Sequence, residues 1–224
     1  MISNGYMAYW WRYFEGIIVP SIWATLRMLS LSMVLSFILG FILAYFLILY
    51  GPQGLRPNST RYKLLDFIVN SIRSFPVIIL IVAISPITRM IVGTSIGEKA
   101  AIFPLTLAAT PFMARIIENS LKEVDKQLIE AARSFGASDF QIITKVMVKE
   151  SVPMIVAGAT LSTITFLSAT TLAGAVGAGG IGAVALNYGY QSFNNTVLYT
   201  SVLLLFIMVL VIQWAGDWLY KKIL

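Results

Sequence analysis

Residues 21–50 read SIWATLRMLSLSMVLSFILGFILAYFLILY, and no charged residue lies between Arg27 and Arg56. An α-helix rises about 1.5 Å per residue, so roughly 20 apolar residues cross the ~30 Å hydrocarbon layer of a bilayer. The segment is longer than that minimum. It therefore predicts a membrane-spanning helix.

The composition of the chain points to the same environment. Of its 224 residues, 58% are hydrophobic and only 12% are charged, whereas soluble domains are nearer 45–50% apolar and about 25% charged. This balance excludes a water-soluble enzyme of this length. The formal net charge is +6, but the basic residues lie between apolar runs and not on one face. That arrangement is typical of membrane topology, and it speaks against a nucleic-acid partner.

Four more stretches with few charges predict four more spans. They are Ser74–Gly93, Ala100–Ser120, Pro153–Leu172 and Val197–Trp214. Prolines interrupt the first two, and each proline frees backbone groups that other atoms must satisfy. The predicted fold class is therefore an all-α polytopic membrane protein with five transmembrane helices.

The basic residues predict an orientation. They collect in the segments 51–63, 121–152 and 220–224, which lie on one side of a five-span layout. Because lysine and arginine are enriched on the cytoplasmic side of membrane proteins, we expect the N-terminus outside and the C-terminus inside.

This layout divides the chain into three parts. We expect an N-terminal interfacial segment (1–20), a transmembrane domain (21–217) that includes the loop 121–152, and a cytoplasmic tail (218–224). Aromatic side chains favour the headgroup layer of a bilayer, and a cluster of them precedes the first span: Tyr6, Tyr9, Trp10, Trp11, Tyr13 and Phe14.

The loop 121–152 has the pattern of two amphipathic helices joined at a glycine. Apolar residues at helical spacing predict the first helix over 121–135. Gly136 ends this helix because glycine takes a positive φ freely, and Ser138 with Gln141 forms the capping box that begins a second helix. The loop is either a solvated hairpin folded on its own membrane domain or a docking surface for another protein.

The loop resembles a known family. Glu130-Ala131-Ala132, followed after three residues by Gly136, is similar to the cytoplasmic loop of the permease subunits of ABC importers. Lys149 departs from that pattern, since the family commonly has proline at this place.

The resemblance narrows to the methionine-importer permease subfamily and covers about 21–217. Six segments carry it: 70–76, 91–97, 100–105, 111–119, 173–182 and 188–191. Ala183, Asn187 and Ser192 stand where relatives often have charged residues, and they lie in the loop that is predicted to face outward.

The family implies a type I importer permease in the inner (cytoplasmic) membrane. It forms a homodimer, binds two ABC ATPase subunits that hold ATP and Mg²⁺, and receives an amino acid from a substrate-binding lipoprotein. The chain lacks the G-x-x-x-x-G-K-[ST] phosphate loop, so we expect no catalytic activity or cofactor of its own. The resemblance implies contact with the ATPase at Glu130, Ala131, Ala132, Phe135, Gly136, Ala137 and Ser138.

The predicted fourth span is rich in hydroxyl groups, which allow close helix approach in lipid or line a polar pathway. Thr165 and Ser168 are candidates for the pathway. Leu172 stands where close relatives tend to have a methionine, and it either closes the pathway or packs in an ordinary way.

The charged residues of the chain also bear on two other classes of membrane protein. An ion-coupled secondary carrier or channel is the alternative, because ionisable residues within the membrane are typical of such transport. Here Asp66, Glu118 and Asp217 all lie near the predicted cytoplasmic ends of spans, and none lies at mid-span. Pairing of Arg115 with Glu118 at spacing i,i+3 favours a structural role for these charges. An intramembrane enzyme is disfavoured, because the chain has no histidine and no cysteine.

Overall fold

The computed structural model describes Trp11 and residues 13–223, and these form helices joined by short connections. Three of the predicted aromatic anchors, Tyr6, Tyr9 and Trp10, lie outside the described residues. The helices are α1 (Phe14–Tyr50), α2 (Ser59–Arg73), α3 (Val77–Ala83), α4 (Ser85–Val92), α5 (Glu98–Lys122), α6 (Lys126–Ser134), α7 (Asp139–Ala178), α8 (Gly180–Ala183, continued by Val184–Tyr190) and α9 (Asn195–Ile223).

Four of these helices are long and apolar enough to cross a membrane, namely α1, α5, α7 and α9. A fifth crossing is added if α2 and α3, which meet at a bend, count as one broken span. The predicted all-α membrane fold is confirmed. Within the described ranges the chain contains no β-strand.

The predicted span Ser74–Gly93 is wrong in its bounds. That segment forms the two short helices α3 and α4, which are separated at Ile84, and neither is long enough to cross a bilayer alone. Pro76 stands immediately before α3 and Pro86 lies in the first turn of α4, the places where proline is tolerated. The second candidate crossing begins instead at Ser59.

The predicted helix 121–135 is also wrong in its bounds. Helix α5 continues to Lys122, and α6 begins only at Lys126. The carboxylate of Asp125 accepts the backbone N–H of Gln127 at 2.8 Å and caps α6. A side chain that takes a backbone donor in this way competes with the continuation of the preceding helix.

The second helix of the loop and the predicted fourth span form one helix. Helix α7 is continuous from Asp139 to Ala173, a length of roughly 52 Å that exceeds a bilayer core. The helical backbone is then interrupted at Val176 and Gly177. Pro153 lies in the interior of α7. The capping box at its start is confirmed, since Ser138 Oγ accepts the N–H of Gln141 at 3.3 Å and Gln141 Oε1 accepts the N–H of Ser138 at 2.9 Å.

The chain divides into two compact units, and each long helix contributes residues to both. The first unit comprises the described residues up to Met33, with Pro76–Thr106 and Ile164–Val211, and the second comprises Val34–Phe75, Leu107–Thr163 and the described residues from Ile212. In the first unit Ile18 packs with Val184 and Val197.

In the second unit the helices α1 and α5 pack closely against each other. Leu47, Val69 and Ala114 form a small buried cluster. A Cβ on Gly40 would lie 2.8 Å from Met113 Cβ, so α1 and α5 approach more closely here than a side chain would allow. Small residues at such crossings are the usual means of helix association in lipid.

Candidate functional site

Helix α6 and the turn after it carry the residues predicted to contact an ATPase. No residue of α6 is buried. Glu130, Ala131, Phe135, Gly136 and Ser138 are exposed, whereas Ala132 and Ala137 are half-buried. The structure therefore brings all seven predicted residues together on one exposed segment of the second unit.

Gly136 has the backbone conformation that the sequence predicts for it. Its φ is +80°, in the left-handed region. Its N–H donates to the carbonyl of Arg133 at 2.9 Å, and the N–H of Ala137 donates to that of Ala132 at 3.1 Å. These bonds satisfy carbonyl groups that the end of a helix leaves without partners.

A few polar contacts hold α6 to the rest of the second unit. The Arg133 guanidinium donates to the carbonyl of Leu55 at 3.3 Å and lies 3.9 Å from the Asp139 carboxylate. Asp139 also pairs with Arg56. Since Leu55 and Arg56 belong to the connection after α1, the sequence alone did not indicate these contacts.

A cavity of about 310 Å³ lies beside α6 in the second unit. Its lining includes Glu130 and Arg133 of α6, Lys122 at the end of α5, and Leu55. Helix α6 is therefore exposed on one side and loosely packed on the other.

The predicted pathway residues lie on one exposed face of α7. Thr165, Ser168 and Leu172 are exposed and follow one another at three- and four-residue spacing, while Ala169 beside them is buried. Most of the other hydroxyl groups bond to their own helix. Thr163 Oγ1, for example, donates to the carbonyl of Ala159 at 2.8 Å.

The glycine-rich segment 174–182 reverses the chain between α7 and α8. Gly177, Gly179 and Gly180 have φ values of +95°, +83° and +79°. Gly177 accepts the N–H of Gly97 at 2.9 Å, and Thr25 Oγ1 accepts the N–H of Ile181 at 2.9 Å. The glycines therefore allow both a tight turn and a close approach of the chain at this place.

The predicted pairing of Arg115 with Glu118 is present at 2.7 Å. Glu118 is fully buried, and it also accepts a hydrogen bond from Lys122 at 2.7 Å. The sequence did not reveal that Asp66 of α2 joins Arg115 from the opposite side. Among the described side chains, no group of three His, Cys, Asp or Glu residues could hold a metal ion.

Residues 36–224 match the model of the family described as "Binding-protein-dependent transport system inner membrane component". The match covers most of the chain. The chain belongs to this family. It is therefore a multi-pass membrane protein of the inner-membrane permease class, with the fold of a type I importer permease.

Individual relatives are similar to this chain over nearly its full length. The "Probable D-methionine transport system permease protein MetI" of Vibrio cholerae is 40% identical over 222 residues, 99% of each chain. The "Methionine import system permease protein MetP" of Bacillus subtilis is 40% identical over 210 residues, 92% of this chain and 95% of that protein.

A solved structure gives the same result for the fold. A chain of the MetNI methionine ABC transporter, in inward-facing conformations, aligns with a TM-score of 0.92 at 42% identity. The alignment covers 94% of this chain and 98% of the other. The comparisons give no support to the alternative of an ion-coupled carrier or channel.

Proposed function

We propose that the chain is the permease subunit of an ATP-driven ABC importer for an amino acid, most specifically methionine. The observation that carries this proposal is the full-length similarity to permeases named for methionine transport. Two copies form the pathway, two ABC ATPase subunits bind and hydrolyse ATP with Mg²⁺, and a substrate-binding lipoprotein delivers the substrate. This chain has no catalytic role.

Helix α6 and its turn form the surface that we assign to the ATPase. The side chains of Leu128, Phe135 and Phe140 are 43%, 91% and 62% exposed. Large apolar side chains grouped on a polar surface are typical of a protein-binding site. Ala131 and Ala132 keep side chains short at the contact, and Glu130 offers an acceptor for basic or backbone groups.

A homodimer would place the exposed face of α7 along the pathway. Thr165 and Ser168 supply hydroxyl groups that exchange hydrogen bonds with a polar substrate, and Leu172 is an apolar side chain that closes the route. One copy of this face leaves the hydroxyl groups on the surface of the chain. Two copies that face each other enclose a route with polar walls.

Cross-linking tests the homodimer. We expect Ser168→Cys to give a disulfide-linked dimer on mild oxidation in membranes, because the exposed faces of two copies meet. Ala169→Cys is the matched control, since this neighbouring position is only 5% exposed and should stay monomeric. A transporting complex that never yields the Ser168→Cys dimer would contradict the proposed arrangement.

The proposed orientation has the N-terminus outside, with the loop 121–152 and the tail 218–224 in the cytoplasm. The chain has no native cysteine, so single cysteines can be labelled cleanly. We expect a membrane-impermeant maleimide to label Ser192→Cys in intact cells and to label Ser59→Cys only after permeabilisation. Both positions are exposed. Labelling of Ser59→Cys from outside would overturn the topology.

The choice of substrate is assigned mainly to the binding protein. The family departures Ala183 and Asn187 line a cavity of about 420 Å³ beside the glycine-rich segment. Uncharged side chains there change the surface that meets the loaded lipoprotein. The departures therefore concern the fit of the binding protein more than ATP-driven transport.

Co-purification tests the proposed class of transporter. We expect the chain, expressed with the ATPase candidates of its own genome, to be recovered with one ATP-hydrolysing subunit at a ratio of one to one. The chain purified alone should not hydrolyse ATP. Recovery without any ATPase from cells in which the chain supports methionine uptake would contradict the proposal.

A further inference from the structure

Four charged side chains form a connected cluster between α2 and α5 in the second unit, and we name it the charged cluster. Its members are Asp66, Arg115, Glu118 and Lys122. Arg115 contributes one nitrogen to Glu118 at 2.7 Å and the other to Asp66, and Lys122 donates to Glu118 at 2.7 Å. The two positive and two negative charges balance.

Neutral side chains complete the contact between the two helices. The Tyr62 hydroxyl donates to Glu118 at 3.4 Å, and Arg115 donates to Asn70 Oδ1 at 3.2 Å. Tyr62, Asp66 and Asn70 follow one another at four-residue spacing on α2. They therefore form one stripe, which faces a stripe of Arg115, Glu118 and Lys122 on α5.

Burial makes Glu118 depend on its partners. Its side chain is 0% exposed, and that of Arg115 is 15% exposed. Removing a carboxylate from water is unfavourable unless charged donors replace the water, and deleting one partner leaves the other charge uncompensated. The pairing therefore fixes the last turns of α5 against α2.

The position of the cluster relates it to α6. Lys122 is the last residue of α5, and only residues 123–125 separate it from the start of α6. Helix α6 has no buried residue, and the cavity beside it leaves room for it to shift. The end of α5 is therefore one route by which a force on α6 reaches the membrane helices, beside the contacts of Arg133 with Leu55 and Asp139.

We propose that Glu118 is a positioning residue that couples movement of α6 to the pair α2–α5. With the cluster intact, the end of α5 is held rigidly, and a displacement of α6 moves both helices together. Without it, the last turn of α5 absorbs the displacement. This inference rests on the proposed function, since it assumes that an ATPase acts on α6.

Two substitutions test the inference, each with a matched control. Glu118→Gln removes the buried charge, and its control is Glu123→Gln, an exposed glutamate five residues later. Asp66→Asn removes the cross-helix partner of Arg115, and its control is the exposed Asp217→Asn. Asp66 is 35% exposed. We therefore expect Asp66→Asn to fold even if Glu118→Gln does not.

The measurement is the number of methionine molecules imported for each ATP hydrolysed, in vesicles that contain the full complex with its ATPase. A charge-assisted hydrogen bond contributes about a factor of ten or more to an equilibrium. We expect that ratio to fall about tenfold in both cluster variants, with ATP hydrolysis and ATPase binding retained. Both controls should match the wild type.

The possible results separate the inference from the proposed function. A purely structural role would lower the amount of assembled complex and leave the ratio for each complex unchanged, and that result would overturn the inference. So would wild-type ratios in both cluster variants. A wild-type chain that imports nothing when its ATPase is bound and active would instead contradict the proposed function, and the inference with it.

Discussion

Uptake is expected to fall at least about tenfold when Gly136 is replaced by valine, while the chain still inserts into the membrane. The φ of +80° at this position is unfavourable for a β-branched residue. Space is not the reason, because a Cβ on Gly136 would meet no atom within 4 Å. The substitution therefore changes the turn between α6 and α7 and, with it, the surface presented to the ATPase.

Gly136→Asn separates the backbone requirement from the absence of a side chain. Asparagine enters the left-handed region far more readily than valine does, so we expect Gly136→Asn to keep most of the uptake. The measurements are uptake and ATP hydrolysis in reconstituted vesicles, with pull-down of the ATPase. Equal loss in both variants would mean that the ATPase excludes any side chain here. Wild-type behaviour of Gly136→Val would mean that the loop is only a solvated hairpin.

The second large effect is expected at Gly174, where even alanine should destabilise the first unit. A Cβ there would lie 2.7 Å from the backbone nitrogen of Ala183 and 2.9 Å from the carbonyl oxygen of Gly179. These are backbone atoms in a tight reversal, so they have little freedom to move. Overpacking of this kind costs roughly 1–3 kcal/mol or more.

The amount of folded protein measures this effect. We expect Gly174→Ala to lower both the thermal midpoint and the yield of monodisperse protein in detergent. Gly16→Ala is the matched control in the same unit, since a Cβ there meets no atom within 4 Å and its φ is not positive. A midpoint for Gly174→Ala equal to that of Gly16→Ala would show that the reversal is not closely packed.

The sequence predicted those parts of the fold that depend on local pattern. Long apolar stretches located α1, α5, α7 and α9, because a bilayer demands continuous apolar helices. The capping box at Ser138 and the positive φ of Gly136 could also be predicted from residues close by in the sequence. The capping box and the glycine turn depend on residues within about one helical turn, whereas the spans depend on continuous stretches of about 20 residues.

The second crossing could not be located in the same way. Helix α2 carries Arg61, Lys63 and Asp66, and a charged segment of this kind is ordinarily taken for a loop. Asp66 is compatible with a helix beside α5 because Arg115, 49 residues later, binds it. Such a partner is a feature of the tertiary structure, and a single sequence does not contain it.

The same distinction between local and distant contacts applies to the candidate site. Spacing alone predicted the i,i+3 pair of Arg115 and Glu118. The hydroxyl-rich fourth span suggested Thr165 and Ser168 as pathway candidates, but their common face with Leu172 was seen only in the structure. Spacing did not predict the connection through Leu55 and Arg56 that holds α6, because those contacts join distant parts of the chain. The roles of the pathway residues depend on a second copy and stay predictions.

The most direct measurement is uptake of labelled methionine into vesicles that contain this chain, its ATPase and the loaded binding protein. We expect uptake only when the ATPase subunit and hydrolysable ATP are both present, and we expect it to be unchanged when ionophores collapse all ion gradients. Uptake by the chain without the ATPase, driven by an imposed ion gradient, would contradict the assignment and identify an ion-coupled carrier instead.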